Sequence, residues 1–186
     1  MKTIYVFGDS NTYGYDPADF RALRYEACDR WCDRLARETG LTIINGGLNG
    51  RTVPGSRREY EVLLSALRPQ PDLLLLFLGT NDILMDRTAE DTAGNMEILL
   101  ASLRRDLPDL QVALLAPPFF RLAAPRPCGA IRTLTVLYEA LARKYSLPFL
   151  ALGDLPLSYD GIHLSQEGHA RLAQFLSLWL REVDLP

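Results

Sequence analysis

The sequence holds only two histidines. One of them, His163, follows Asp160 by three residues in the stretch Tyr159-Asp160-Gly161-Ile162-His163. Within one turn, a carboxylate so placed reaches the imidazole Nδ1. It fixes the tautomer and steadies the imidazolium, leaving Nε2 to take a proton. A serine hydroxyl is a poor nucleophile near neutral pH and needs such a base. Ser10 answers that need: the apolar run Ile4-Tyr5-Val6-Phe7 stops abruptly at Gly8-Asp9-Ser10-Asn11. Together these residue types point to acyl transfer through a serine. His169 has no acidic partner at that spacing and reads as a structural residue of a helix or an interface.

Attack on a carbonyl puts negative charge on its oxygen, and donors must be waiting for it. Losing one donor typically costs about 10²–10³ in turnover. Three suggest themselves: the backbone N–H of Ser10, the backbone N–H of Gly50 in Asn49-Gly50-Arg51-Thr52, and the side-chain amide of Asn81 in Gly79-Thr80-Asn81-Asp82. A glycine lets a carbonyl approach its backbone closely. Asp9 is expected to bond amides of its own loop, and Asp82 to cap a helix or accept from a neighbour. Tyr13, Tyr15, Val53, Phe119 and Ile162 are candidates to line an acyl or alcohol pocket. Arg51 and Arg57 could favour an anionic substrate but read first as solvated charges, and Trp31 reads as core.

These groups need elements to carry them. Near-continuous apolar runs at 4–7, 41–44, 73–78, 112–116 and 149–150 read as strands buried on both faces, as in a parallel sheet. Helical patterns lie between them at about 26–38, 56–67, 90–106, 130–145 and 166–182. In the last, Ala170, Ala173, Phe175, Leu176 and Leu180 form an inward stripe. Such alternation predicts a three-layer α/β/α sandwich with a five-stranded parallel sheet and flavodoxin-like topology. Ligands in such sheets bind beyond the carboxyl ends of the strands. Ser10, Gly50 and Asn81 follow the first three strands, and Asp160 and His163 follow the fifth.

At 186 residues the chain reads as a single domain over 1–186. A chain of this length buries roughly 70% of its unfolded surface. A net charge of −3 argues against a nucleic-acid partner. No run reaches the roughly 20 apolar residues of a membrane span. The opening shows no charged region, long apolar stretch and cleavage site, so the expectation is no signal peptide and a cytoplasmic protein. Cys28, Cys32 and Cys128 suit neither a disulfide framework nor a zinc site. Cys28 and Cys32, four apart on one expected helix, read as small buried residues.

Gly8-Asp9-Ser10, Gly50, Gly79-Thr80-Asn81-Asp82 and Asp160-Gly161-Ile162-His163 resemble, in order, the four blocks of the SGNH, or GDSL-type, hydrolases. The resemblance spans residues 4 to 169. It implies a serine esterase with no metal and no organic cofactor. It also implies Ser10 as nucleophile, His163 as base, Asp160 as orienting acid, and Gly50 and Asn81 joining the Ser10 amide in the oxyanion hole. Gly-Leu-Asn-Gly-Arg-Thr and Gly-Asp-Ser-Asn-Thr-Tyr-Gly look most like the arylesterase and acyltransferase branch. Stretches 51–73 and 119–132, where that branch commonly carries substrate-shaping loops, are short here. An open site for small acyl, aryl or acetyl esters is therefore expected. A small-molecule ester is the expected partner, with self-association into a homo-oligomer left open.

Two other readings compete. A non-catalytic flavodoxin-like module would use the Ser/Thr/Asn-rich loop after the first strand to hold a phosphate or nucleotide. That leaves Asp160 and His163 without a task. An inactive scaffold that keeps the residues is the other.

Overall fold

The computed structural model describes residues 2–19, 21 and 23–183. Five strands build the sheet: β1 (Thr3–Gly8), β2 (Thr42–Asn45), β3 (Leu73–Phe77), β4 (Gln111–Ala116) and β5 (Phe149–Ala151). All pair in parallel, in the order β2-β1-β3-β4-β5. The strand sequence Leu-Leu-Leu-Leu-Phe of β3 is buried along its whole length. Its alternating side chains feed two cores. Leu74 and Leu76 join one face, and Leu73, Leu75 and Phe77 the other. Fully burying one such leucine contributes roughly 1.5–3 kcal/mol.

Helices cover both faces. Helices α2 (Trp31–Thr39) and α7 (Gln166–Glu182) pack together over the second core. Helices α3 (Arg57–Ala66), α5 (Ala89–Asp106) and α6 (Pro125–Tyr145) contribute to the first. Two short helices complete the set. Helix α1 (Ser10–Tyr13) follows β1 directly and α4 (Thr80–Leu84) follows β3. The strand order reverses its direction of growth between β1 and β3, which is where such sheets open a crevice for ligands. Both short helices therefore start at the switch point.

The expected architecture is present, with differences at element ends and in burial. Phe175, expected on the inward stripe of α7, is exposed. The edge strands β2 and β5, expected buried on both faces, are only partly buried because each has a strand on one side alone. Segments 10–13 and 80–84, directly after β1 and β3, each form a helical turn. Asp9 caps the first, its Oδ1 accepting from Asn11 N–H at 2.9 Å, and Gly14 ends it in the left-handed region. The helix expected over 26–38 begins only at Trp31. Upstream, Tyr25 N–H is committed to Gly14 O at 2.8 Å, and Tyr15 and Arg24 form an antiparallel bridge. That leaves Cys28 in a turn and exposed, so the reading of Cys28 and Cys32 as two buried residues on one helical face holds only for Cys32. The helix expected at 130 starts at Pro125, whose fixed φ suits the first helical position and whose missing N–H costs nothing there. Most of 119–132 is thus helix.

The β2 end is drawn tightly against β1. Leu48 N–H donates to Gly8 O at 3.1 Å, and Asn45 Nδ2 donates to Thr12 O at 2.8 Å. At Gly47 the two backbones meet: a Cβ there would come within 2.1 Å of the Tyr13 nitrogen.

Candidate active site

Ser10 is the first residue of α1 and almost fully buried at 5% exposure. His163 Nε2 lies 3.0 Å from its Oγ, across 153 residues of chain. On the other side of the ring, Nδ1 lies 2.5 Å from Asp160 Oδ2. The second carboxylate oxygen, Oδ1, accepts from the amides of Ile162 and His163, both at 3.0 Å. One turn of chain thus satisfies the carboxylate and aims it at the ring. Burial pushes the Asp160 pKa up, but the hydrogen bonds from the His163 side chain and from the two amides outweigh it. The net displacement is below the usual carboxylate range. An ionised Asp160 can only accept, so it holds the proton on Nδ1 and leaves the Nε2 lone pair to Ser10. Tyr15 lies against the imidazole, ring centroids 4.8 Å apart.

Among the described residues, no group accepts a hydrogen bond from the Ser10 or Gly50 amide. Gly50 stands at φ +74° and exposed, at the third position of a turn closed by Arg51 N–H on Leu48 O at 3.1 Å. A non-glycine residue would be strained there. Asn81 Nδ2 donates to Arg51 O at 2.9 Å. Arg51 was read as a solvated charge, and the structure corrects this. Its guanidinium donates to Gly8 O at 3.0 Å and to Gly46 O, and lies 4.1 Å over the Phe7 ring. It ties the ends of β1 and β2 together. Burial lowers its pKa, against the attraction of Tyr5 and Asp9. Arg57 is the exposed charge expected, paired with Glu61 at 2.8 Å.

Asp9 is fully buried beneath Ser10. Burial raises its pKa to about 6, opposed chiefly by the Asn11 amide. Asp82 is an acceptor, as one of its two expected roles had it. Its Oδ2 takes the Val53 N–H at 3.0 Å and its Oδ1 takes Arg87 at 2.7 Å. Gly79, not Asp82, occupies the cap position of α4. His169 is structural, as expected: fully buried in α7, its Nδ1 accepts the Trp31 N–H at 3.3 Å.

The residues expected to line a pocket separate. Tyr13 is half-buried beneath the Arg24 guanidinium at 4.4 Å, and Phe119 lies beneath Arg132 at 4.0 Å. Ile162 packs partly buried against the core, next to His163. Val53 is fully buried, a packing residue under the Gly50 turn with no face open to a ligand. A groove of about 530 Å³ between α3 and α5 is lined by residues such as Tyr60, Leu64 and Ile98 and holds none of the candidate catalytic groups. Among the described residues, no cluster of His, Cys, Asp and Glu could hold a metal ion, and no helix is long and apolar enough to cross a membrane.

The five-stranded parallel sheet agrees with the comparisons with known proteins. Residues 6–171 match the GDSL-like lipase/acylhydrolase family, and the chain belongs to it. It is an ester hydrolase on that ground. Among the solved structures similar to it are three esterases. Est24, a carbohydrate acetylesterase from Sinorhizobium meliloti, is 29% identical over 98% of this chain and 99% of its own, with a TM-score of 0.83. A second carbohydrate acetylesterase family member from that organism is 27% identical over 98% of each chain, at 0.84. The aryl esterase of M. smegmatis is 26% identical over 98% of this chain and 99% of its own, at 0.82. A comparison with curated protein sequences returned no match.

Proposed function

We propose that this chain is a serine esterase that hydrolyses small acyl, aryl or acetyl esters through an acyl-serine intermediate. One observation carries the reading: Ser10 Oγ, the His163 ring and Asp160 form a continuous hydrogen-bonded line, with contacts of 3.0 and 2.5 Å. In the first step His163 Nε2 takes the Ser10 proton as Oγ bonds to the carbonyl carbon. The amides of Ser10 and Gly50 and the Asn81 side chain receive the charge on the carbonyl oxygen. As the ester C–O bond breaks, Nε2 returns its proton to the leaving alkoxide. Water, deprotonated by the same nitrogen, then adds to the acyl carbon; the bond from that carbon to Oγ breaks, Nε2 returns its proton to Oγ, and the acid leaves.

The similarity to a carbohydrate acetylesterase and an aryl esterase supports small esters. So does the Tyr15 ring against the His163 imidazole. On this reading the chain is one catalytic domain, since one sheet carries every candidate group. Its three free cysteines suit a reducing compartment such as the cytoplasm. The test is Ser10→Ala. It should abolish hydrolysis of p-nitrophenyl acetate with an unchanged circular dichroism spectrum, and full activity would reject Ser10 as nucleophile.

A further inference from the structure

Asn11, the residue after the candidate nucleophile, is 1% exposed. It directs both ends of its side-chain amide at the segment that carries His163. Its Oδ1 accepts the Leu164 N–H at 2.8 Å, and its Nδ2 donates to the Ile162 carbonyl at 3.4 Å. Those backbone groups stand immediately before and after His163. Asn11 is itself held on its own backbone. Its N–H donates to Asp9 Oδ1 at 2.9 Å, and its carbonyl accepts from Trp31 Nε1 at 3.0 Å. Trp31 in turn donates its amide to the buried His169. Asn11 is therefore a strut, braced by α2 and α7, between the β1 end and a loop more than 150 residues further on.

The bonds within the His163 loop do a different job. Asp160 Oδ1 on the Ile162 and His163 amides, and Gly161 N–H on Ser158 O at 3.0 Å, give the loop its own shape. They say nothing about its distance from Ser10. Among the described residues, the hydrogen bonds that join Ser10 and Asn11 to that segment are the Ser10 bond to the imidazole and the two that Asn11 makes.

We infer that Asn11 is a positioning residue that sets the gap between His163 Nε2 and Ser10 Oγ by gripping the backbone on both sides of the imidazole. The inference rests on the esterase reading above. A purely structural residue would cost folded protein. A positioning residue costs rate within folded protein, because a misplacement of about 1 Å lowers turnover on the order of 10²-fold. The Asp160 contact to His163 is local to the loop and does not depend on the strut.

The experiment uses the full chain with Asn11→Ala and Asn11→Asp. The second keeps the acceptor for Leu164 and loses the donor to Ile162. Steady-state hydrolysis of p-nitrophenyl acetate is read beside the low-field NMR signal of the proton between His163 Nδ1 and Asp160. Asn11→Ala should lower kcat about 10²-fold with KM within about twofold and the low-field signal retained. Asn11→Asp should fall between it and the parent. A folded Asn11→Ala protein with unchanged kcat overturns the inference. So does a kcat loss accompanied by loss of the low-field signal, which would assign Asn11 to the loop's shape. If Asn11→Ala does not fold, Asn11→Asp decides by the same criteria: a lowered kcat with the signal retained supports the strut, and parental kcat sinks it. Activity surviving in Ser10→Ala would sink the esterase reading itself. A dead Ser10→Ala beside a fully active Asn11→Ala would sink the strut alone.

Discussion

The side-chain amide of Asn81 donates a 2.9 Å hydrogen bond to the backbone carbonyl of Arg51. An amide has two N–H donors, so one is spent on orientation and the other remains for a ligand oxygen. The acceptor is itself anchored, because the Arg51 guanidinium is fastened to Gly8 O and Gly46 O. Asn81→Ala should therefore lower kcat about 10²–10³-fold, with KM changed far less. Kinetics on a p-nitrophenyl ester series measures this, and an unaltered kcat would remove Asn81 from the oxyanion site.

Asp160→Asn tests the far end of the hydrogen-bonded line. The amide oxygen can still serve the Ile162 and His163 N–H groups, so the loop keeps its shape. The NH₂ group then faces Nδ1, which must accept, and the Nε2 proton lands on the side toward Ser10. By the tautomer argument established for serine proteases, kcat should fall about 10³–10⁴-fold in a fully folded protein. A loss of less than tenfold would show that the carboxylate does little beyond packing.

Asp9 carries a stability signature. Its folded pKa, about 6, lies above the ordinary 3.8. The native state then holds the proton more tightly than the unfolded chain, and stability falls as pH rises from about 4 through 6. Above that window the buried carboxylate costs about 2–3 kcal/mol. Asp9→Asn keeps an oxygen for the Asn11 amide and removes the titration. It should be more stable than the parent at pH 8 and little different at pH 4. Urea unfolding at the two pH values decides; an equal difference at both refutes the assignment.

His169 acts in the opposite sense. Burial lowers its pKa from 6.5 to about 3. The unfolded chain binds the proton first, so its contribution is complete above about pH 6.5 and is lost as pH falls toward 3. The amount is on the order of 3–5 kcal/mol. His169→Gln offers Trp31 N–H a non-titrating acceptor and should flatten the acid limb of stability. Melting temperatures from pH 3.5 to 7 show it, and a limb as steep as the parent's would clear His169 of that role.

What the sequence made legible was local or periodic. The buried strands stood out because both their faces are apolar, and Asp160 and His163 because their partnership closes within one turn. Ser10, Gly50 and Asn81 could be placed because strand ends share one edge of a parallel sheet. Features that depend on a distant neighbour were hidden. The Arg51 charge looks solvated until the carbonyls of Gly8 and Gly46 are seen around it. The start of α2 shifted because Tyr25 pairs with Gly14, a contact no helical periodicity reports. Asn11 looked like one more polar turn residue, although its place directly after Ser10 was a signal. Val53 looked like a pocket residue because its chain neighbours lie at the site, while its own side chain turns inward.

The contact of Gly47 with Tyr13 fixes how the end of β2 meets α1, the helical turn that begins at Ser10. On the β2 side, main chain abuts main chain, and even a methyl group at position 47 has nowhere to go. After β4 and on α6 the corresponding contact is one of side chains, with Phe119 under Arg132. Position 47 therefore leaves the chain no room to vary without moving α1, whereas changes at Phe119 or Arg132 alter side-chain contacts alone.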